Sequence, residues 1–292
     1  MPRARQPRVE GLALGLTETW LRVEGRLLAI LSLALRPYRF RIRTGLARGM
    51  LRRFGPGFRP RARPSAEERF LLALDWNDRV VYDVGAFVGM FTLFFARSVG
   101  PRGRVVAFEP DPRNYDELVK NVALNGFSNV LALPMGLSNR RGSVPFALHP
   151  WSPARGTVWV DRNDGRRNVR SIQVQVDMLD RVVDEYGLPP PGFVKIDVEG
   201  HELDALLGMR NVIDRFHPDL LIEVHAERPA LREWLLDRGY TLLDVEAEIG
   251  HLSRTPSIPA PLHVYCRVGS GFARVPRPVS EREGPTLSIP DT

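Results

Sequence analysis

The chain of 292 residues contains a single cysteine, Cys266, which excludes an internal disulfide and a cysteine-rich zinc site. Lysine is almost as scarce: Lys120 and Lys195 are the only two, so the cationic surface is built of arginine. Long hydrophobic runs are missing from the N-terminal arm, where the longest uncharged stretch, Leu27 to Leu35, has nine residues. Crossing a bilayer takes about 20, so no transmembrane span is expected there. The stretch also lacks a small-residue cleavage site after a clean apolar core, and no secretory signal is expected. Absent too is the Gly-x-Gly-x-x-Gly turn that receives a diphosphate. What is present is 43% hydrophobic residues, enough to bury a full core in one large domain.

Charge is unevenly spread. Residues 1–64 hold 15 Arg against 3 Glu, a net +12, whereas the other 26 basic and 31 acidic residues leave −5. The basicity belongs to an arm. Within it Trp20, Val23, Leu27, Leu31 and Ala34 recur at helical steps, with Arg22 and Arg26 opposite. Beyond Pro37, Arg39, Arg41 and Arg43 alternate with Tyr38, Phe40 and Ile42; then Leu46, Met50 and Phe54 stand beside Arg48, Arg52 and Arg53. Interleaving of this kind suits an anionic membrane surface, with residues 10–54 holding a cytoplasmic protein peripherally on the inner face. It suits equally an arm packed on its own domain or on a second subunit, and RNA binding is a third account.

The body is organised around Val80 to Gly89, read as a buried strand, a glycine turn and a helix start, with backbone N–H groups facing a bound ligand. Gly85 and Gly89 stand where a Cβ would obstruct a positive-φ turn or a ligand's close approach. Asp83 ends the strand; its charge would repel a diphosphate and suits a cationic amine or hydroxyl donors. The next strand, Arg104 to Phe108, ends in Glu109, placed to accept both hydroxyls of a ribose. An adenosyl ligand with an amino-acid tail fits this pair of carboxylates better than NAD does.

Gly55 to Pro64 reads as a linker, and the capping box Ser65-Ala66-Glu67-Glu68 opens a globular domain expected over residues 65–269, followed by a flexible tail, 270–292. Strands then alternate with helices, the latter at Met90 to Val99 and from Asp111-Pro112 to Gly126, which implies right-handed crossovers and a largely parallel sheet. Residues 137–176 break the rhythm with short strands at 142–148, 156–160 and 171–176. This β-rich insertion is either a cap over an acceptor or a passive edge, and Trp151 and Trp159 either stack on a sugar ring or fill its core. Alternation returns with Phe193-Val-Lys-Ile-Asp-Val-Glu-Gly-His-Glu202, whose strand must end near Asp197 because three charges cannot be buried in a sheet centre without partners. The strand Asp219 to Val224 ends with Glu223 and His225. Since ligands bind beyond the carboxyl ends of such strands, Asp197, Glu199, His201, Glu223 and His225 are expected to cluster.

Asp83-Val-Gly-Ala-x-x-Gly, Ala107-Phe-Glu-Pro-x-Pro112, Asn121 with Leu124-Asn125, Gly136-Leu-Ser138, Leu179-Asp180 and Lys195-Ile-Asp-Val-Glu-Gly200 followed by Glu202 together resemble the FkbM family of S-adenosylmethionine-dependent methyltransferases, over about Val80 to Val224. The resemblance implies an α/β class I methyltransferase (Rossmann-like) fold, a seven-stranded, mostly parallel sheet whose last hairpin pairs Tyr240 to Glu246 with Leu262 to Val268. It implies O-methylation of a hydroxyl on a sugar, glycan, glycolipid or natural product. Cofactor contacts are implied at Asp83, Gly85, Ala86, Phe87, Gly89, Glu109, Pro110, Ser138 and Asp197. Phe87 departs from the family, where Asn is frequent; its ring would cover the cofactor instead of hydrogen bonding.

Methyl transfer to an uncharged hydroxyl needs alignment and a base. Asp197 and His225 are the candidates by position, with Glu199 and Glu223 orienting them or binding sugar hydroxyls. Alternatively, Asp197, Glu199 and Glu223 hold Mg²⁺, which would lower the acceptor's pKa. Two rival classes are a nucleic-acid methyltransferase, which commonly carries Asp/Asn-Pro-Pro-aromatic at this strand end, and a non-catalytic membrane-associated interaction module.

Overall fold

The computed structural model describes residues 38–53, 64–148, 170–225, 228–248 and 262–269. In chain order, a hairpin of β1 (Arg39–Arg41) and β2 (Leu51–Arg53) precedes α1 (Ala66–Ala73), β3 (Val80–Val84), α2 (Met90–Ser98), β4 (Arg104–Phe108), α3 (Pro112–Leu124) and β5 (Val130–Leu133). A separate small sheet follows, made of β6 (Gly136–Leu137), β7 (Gly142–Leu148) and β8 (Arg170–Asp177). The remainder is α4 (Leu179–Tyr186), β9 (Phe193–Ile196), α5 (Glu202–Leu207), α6 (Arg210–Phe216), β10 (Asp219–Val224), α7 (Arg228–Leu236), β11 (Tyr240–Asp244), α8 (Val245–Glu248) and β12 (Leu262–Val268).

The central sheet has seven strands in the order β11-β12-β10-β9-β3-β4-β5. β3, β4, β5, β9 and β10 run parallel, and β12 is antiparallel to both of its neighbours. Strands apolar on both faces need cover on both. Tyr82, Val84, Val106, Phe108, Val194, Ile196 and Ile222 face one way, onto Leu179, Val182, Leu206, Val212 and Leu235 of α4 to α7. The alternate residues Val81, Val105, Phe193 and Leu221 face Phe70, Leu71, Phe94 and Phe95 of α1 and α2. The chain runs outward from β3 through β4 to β5, then returns to β9 on the other side of β3. That reversal opens a crevice at the carboxyl ends of β3 and β9, where open α/β sheets hold their ligands.

The capping box forms as read: Glu68 N donates to Ser65 Oγ at 3.1 Å and Ser65 N to Glu68 Oε2 at 2.8 Å. The expected boundary at Ser65 does not coincide with the packing, because residues 38–53 lie on the body. Ile42, Ala47 and Met50 are buried with Ala86, Leu93, Leu118 and Val122, and Leu46 joins the core of Phe70 and Phe94. Asn121 on α3 and Asn125 at its C-cap, one helical turn apart, supply partners on the edge of β2 away from β1. Asn125 Oδ1 accepts from Leu51 N at 2.8 Å, Asn125 Nδ2 donates to Leu51 O at 2.7 Å, and Asn121 Oδ1 accepts from Arg53 N at 3.0 Å. Much of the interleaving of apolar and basic residues in this segment thus has a folding cause: Ile42, Leu46, Ala47 and Met50 are buried and Phe40 is half-buried, while Arg39, Arg41, Arg43 and Arg48 stay exposed beside Tyr38 and Arg52 is itself buried. Residues 1–37, the linker 54–63, the strand expected at 156–160 with Trp151 and Trp159, and the tail 270–292 lie outside the described residues. No helix among the described residues is long and apolar enough to cross a membrane.

Candidate active site

Two carboxylates bracket the turn after β3. Asp83 is fully buried; its Oδ2 accepts from Thr92 Oγ1 at 2.6 Å, while Oδ1 is buried without a hydrogen-bond partner among the described residues. Burial raises its carboxyl above the usual range, against the pull of Lys195. Glu109 accepts from Phe87 N at 2.7 Å through Oε2 and from Asp111 N at 2.9 Å through Oε1, so its plane is set before any ligand arrives. Burial brings it up to about 7 despite those bonds.

The turn itself differs from the expectation that its N–H groups face a ligand. Gly85 N and Ala86 N both donate to Phe108 O at 3.0 Å, Gly89 N goes to Ala86 O at 2.9 Å, and Phe87 N goes to Glu109. With these donors used internally, the turn presents acceptors, the polarity wanted by an amine or a diol. Gly85 has φ +84°, and a Cβ there would lie 1.8 Å from the backbone oxygen of Asp197. Phe87 sits at φ +52°, a left-handed conformation that Asn adopts more readily, which explains Asn as the family's frequent choice. Pro110 packs beside Gly136, where a Cβ would meet its ring carbons at 3.5 Å.

The second part of the site lies past β9 and β10. Lys195, 1% exposed, sits 3.0 Å from Asp197 Oδ2 and 4.3 Å from the centre of the Phe91 ring. Its charge is stabilised by partners: burial lowers its pKa, but Asp197, Glu67, Asp83 and Glu223 outweigh that and raise it. Asp197 keeps 24% of its side chain open. Burial raises its carboxyl to about 7 against the attraction of Lys195, with Glu223 and Glu67 adding to the rise. His225 places Nδ1 2.8 Å from Glu202 Oε1 and Nε2 3.5 Å from both Glu199 and Glu223. Burial opposes its charge, yet Glu202, Glu223 and Glu199 together raise it to about 10. His263 is bonded through Nδ1 to Glu246, with Nε2 3.4 Å from Glu67 and 3.7 Å from Glu223. Burial again works against the cation, and Glu223, Glu246 and Glu67 raise it to about 12. Glu223, shared by both rings, is held well below the usual carboxylate range although burial pushes it upward. Glu199 occupies φ +51°, a strained conformation for a non-glycine residue at the lip of the crevice.

The structure therefore brings Asp197, Glu199, Glu223 and His225 together and adds Lys195, Glu202, Glu67, Glu246 and His263. Pairing of β10 with β12 places His263 opposite Glu223, a neighbour invisible without the register. His201 turns elsewhere: it is buried, with Nε2 3.0 Å from Ser138 Oγ and Nδ1 3.2 Å from Asp204. Ser138, expected at the cofactor, is 3% exposed and engaged with that ring. Asp197, Glu223 and His225 offer ligand atoms within 4.8 Å of one another. The Mg²⁺ set read from the sequence, Asp197, Glu199 and Glu223, is not the set whose ligand atoms converge: the imidazole of His225 takes the place of Glu199, whereas Mg²⁺ selects oxygen ligands in octahedral geometry, and Asp197 and His225 are already engaged by Lys195 and Glu202.

The strand order, the β3 turn and the acidic β4 end define a class I methyltransferase fold. The chain belongs to the FkbM methyltransferase family: the sequence model of the Methyltransferase FkbM domain matches residues 83–242, and the protein is an S-adenosylmethionine-dependent methyltransferase. It is 31% identical over 201 residues to Methyltransferase sdnD of Sordaria araneosa, covering 58% of this chain and 76% of that protein. It is 33% identical over 158 residues to Hexuronic acid methyltransferase AglP of Haloferax volcanii, covering 54% of this chain and 61% of the relative's length. Among solved structures it is similar to Methyltransferase FkbM from Methylobacillus flagellatus, with TM-score 0.46 and 20% identity over 66% of this chain and 44% of that one.

Proposed function

We propose that the protein O-methylates a hydroxyl of a sugar or another polyhydroxylated small molecule, with Asp197 as the general base. The observation that carries this reading is a carboxylate near neutrality, a quarter open, at the crevice where the sheet order reverses. A base is most effective with a pKa near the working pH. His225, the other candidate, is charged and clamped by three carboxylates, so it serves as a fixed donor that orients Glu199 and Glu223. Those two carboxylates, both partly exposed, accept from acceptor hydroxyls. The hexuronic acid in one relative's name is compatible with such an acceptor.

The residues fit the cofactor. Asp83 Oδ1, without a hydrogen-bond partner among the described residues, suits the ammonium of its amino-acid tail, and the pre-oriented Glu109 suits a ribose diol. S-adenosylmethionine supplies an electrophilic methyl on a sulfonium that carries its own leaving group. The chain's part is to hold that ligand, align the acceptor oxygen and take its proton on Asp197.

Glu109→Gln removes the charge while keeping the shape. Calorimetry should show S-adenosylmethionine binding weakened by about 1.5–3 kcal/mol, roughly 10- to 150-fold. Unchanged affinity would place the ribose elsewhere. Because the acidic group does not fit Mg²⁺, methyl transfer to a sugar-alcohol panel should survive EDTA at full rate. Loss on chelation with recovery on Mg²⁺ addition would overturn the metal-free reading and make Asp197 a ligand.

A further inference from the structure

We propose, on the reading of Glu223 as a carboxylate that accepts from acceptor hydroxyls, that His263 is a positioning residue for methyl transfer: it holds Glu223, and through it the acceptor, in place. Strand register puts His263 at the end of a row of charges. On the sheet face covered by α1 and α2, Val81 of β3, Phe193 of β9, Leu221 of β10 and Tyr265 of β12 are packed in an apolar core. Two residues nearer the crevice the same four strands carry Asp83, Lys195, Glu223 and His263. Asp83 is the register partner of Lys195, and Glu223 that of His263. The sign of charge alternates along this row, from the carboxylate of the cofactor turn to a histidine that its carboxylate neighbours keep cationic. Thr92 and Phe91 of α2 cover Asp83 and Lys195, and Glu67 of α1 reaches His263.

Glu223 is held through both of its oxygens. Its Oε1 lies 3.5 Å from His225 Nε2, and its Oε2 lies 3.7 Å from His263 Nε2. A carboxylate fixed through one oxygen can still turn about its last bond; one fixed through both, by rings from two segments, keeps its plane. His263 is fixed in turn. Its Nδ1 is bonded to Glu246 Oε1, and its backbone N donates to Glu246 Oε2 at 3.1 Å, so one carboxylate grips both the ring and the chain that carries it. Glu67 Oε2, 3.4 Å from Nε2, holds the opposite edge of the ring.

Stability alone gives a poor reason for such a row. A buried ion pair is often no more stabilising than apolar side chains of similar volume, and these strands use apolar side chains one step further back. The change from apolar to charged falls at the carboxyl ends of β3, β9 and β10, where a ligand sits, and a group that must meet a ligand in one orientation needs neighbours that fix it. Glu67, Glu246 and His263 all lie outside residues 83–242, the span that matches the family domain. The grip on Glu223 is therefore built by the segments that flank that span.

The test uses the full chain, with the best acceptor from a panel of myo-inositol, methyl glucoside and glucuronic acid, and S-adenosylhomocysteine formation as the rate. His263→Leu should raise the acceptor KM at least about tenfold, with kcat within about threefold. Unchanged S-adenosylmethionine affinity shows that the fold is intact. Glu246→Gln, which loosens the ring without removing it, should raise KM in the same direction by less. His263→Gln, which keeps a donor towards Glu223, should recover most of the loss. In a Glu223→Gln background, His263→Leu should add nothing further to KM, whereas a merely structural role would add its full effect. An unchanged KM in His263→Leu and Glu246→Gln, or full additivity with Glu223→Gln, would overturn the proposal and leave sugar methylation standing. No methyl transfer by the wild type to any member of the panel would instead overturn the sugar reading, and the role of His263 with it.

Discussion

Asp197→Asn should lower kcat by about 10²-fold or more while S-adenosylmethionine affinity stays within a few-fold. The substitution preserves volume and removes the proton acceptor. It also takes the counter-ion from Lys195, which is 1% exposed, so a stability loss accompanies it, on the scale of about 3–5 kcal/mol for a broken buried ion pair. Kinetics must therefore be measured well below the variant's unfolding temperature, with bound cofactor as the check on folding. The pH profile separates base from scaffold. A carboxyl at about 7 is protonated below that pH and cannot accept a proton, so the wild-type rate should climb through about 7 and level above it. The plateau should persist until His225 loses its proton near 10. In Asp197→Asn the limb near 7 should vanish. A variant with the wild-type rate and profile on its acceptor would remove Asp197 from the chemistry.

Gly85→Ala should be among the most damaging single methyl additions at the described glycines, because it combines a backbone clash with a positive φ. The added Cβ would meet the Asp197 carbonyl oxygen at 1.8 Å and its carbon at 2.9 Å, both backbone atoms, in a residue already at φ +84°. Neither β3 nor β9 can retreat, because Asp197 N is bonded to Val84 O at 3.0 Å. The expected cost is at least about 3 kcal/mol, a fall of several degrees in Tm, with S-adenosylmethionine binding lost as the turn is displaced. Gly89→Ala is the control. Its φ is also positive, +88°, but the added Cβ meets the tip of the Leu118 side chain at 2.5 Å, and that tip can rotate away. About 1–2 kcal/mol is expected there. Equal losses in the two variants by chemical denaturation would show that conformational strain alone, and not the approach to Asp197, makes Gly85 necessary.

Much of the framework was legible because it is encoded within short windows. The runs Arg104–Phe108 and Asp219–Val224, the capping box at Ser65 and the hairpin strand Leu262–Val268 follow from apolar patterns bounded by turn and cap residues. Glu109 lies beside the β3 turn, as its place at a strand end indicated. The expectation that charges in Phe193 to Glu202 need partners also holds, and Lys195 has them in Asp197 and Phe91. Less legible were sites joined by distant segments. His263 and Glu67 meet Glu223 only after β12 pairs with β10 and α1 docks on the sheet. His201, adjacent in sequence to the acidic group, meets Ser138 after β6 from its place as the N-cap of α5, a neighbour 63 positions away.

The sequence by itself determined the strand ends, the glycines of the β3 turn and the family, since each rests on residues whose physical roles are local. Only the tertiary structure decided which ionisable groups share a field. Whether a carboxylate is a base, a clamp or a counter-ion depends on burial and on partners within a few ångströms, and that is why Asp197 and His225, equal candidates by position, separate once Lys195 stands beside one and three carboxylates surround the other. The same reason governs residues 38–53. Alternating arginine and apolar side chains suit a lipid surface or a protein surface equally, and the choice between them was made by Asn121, Asn125 and the apolar face of α3, residues about 70 positions away.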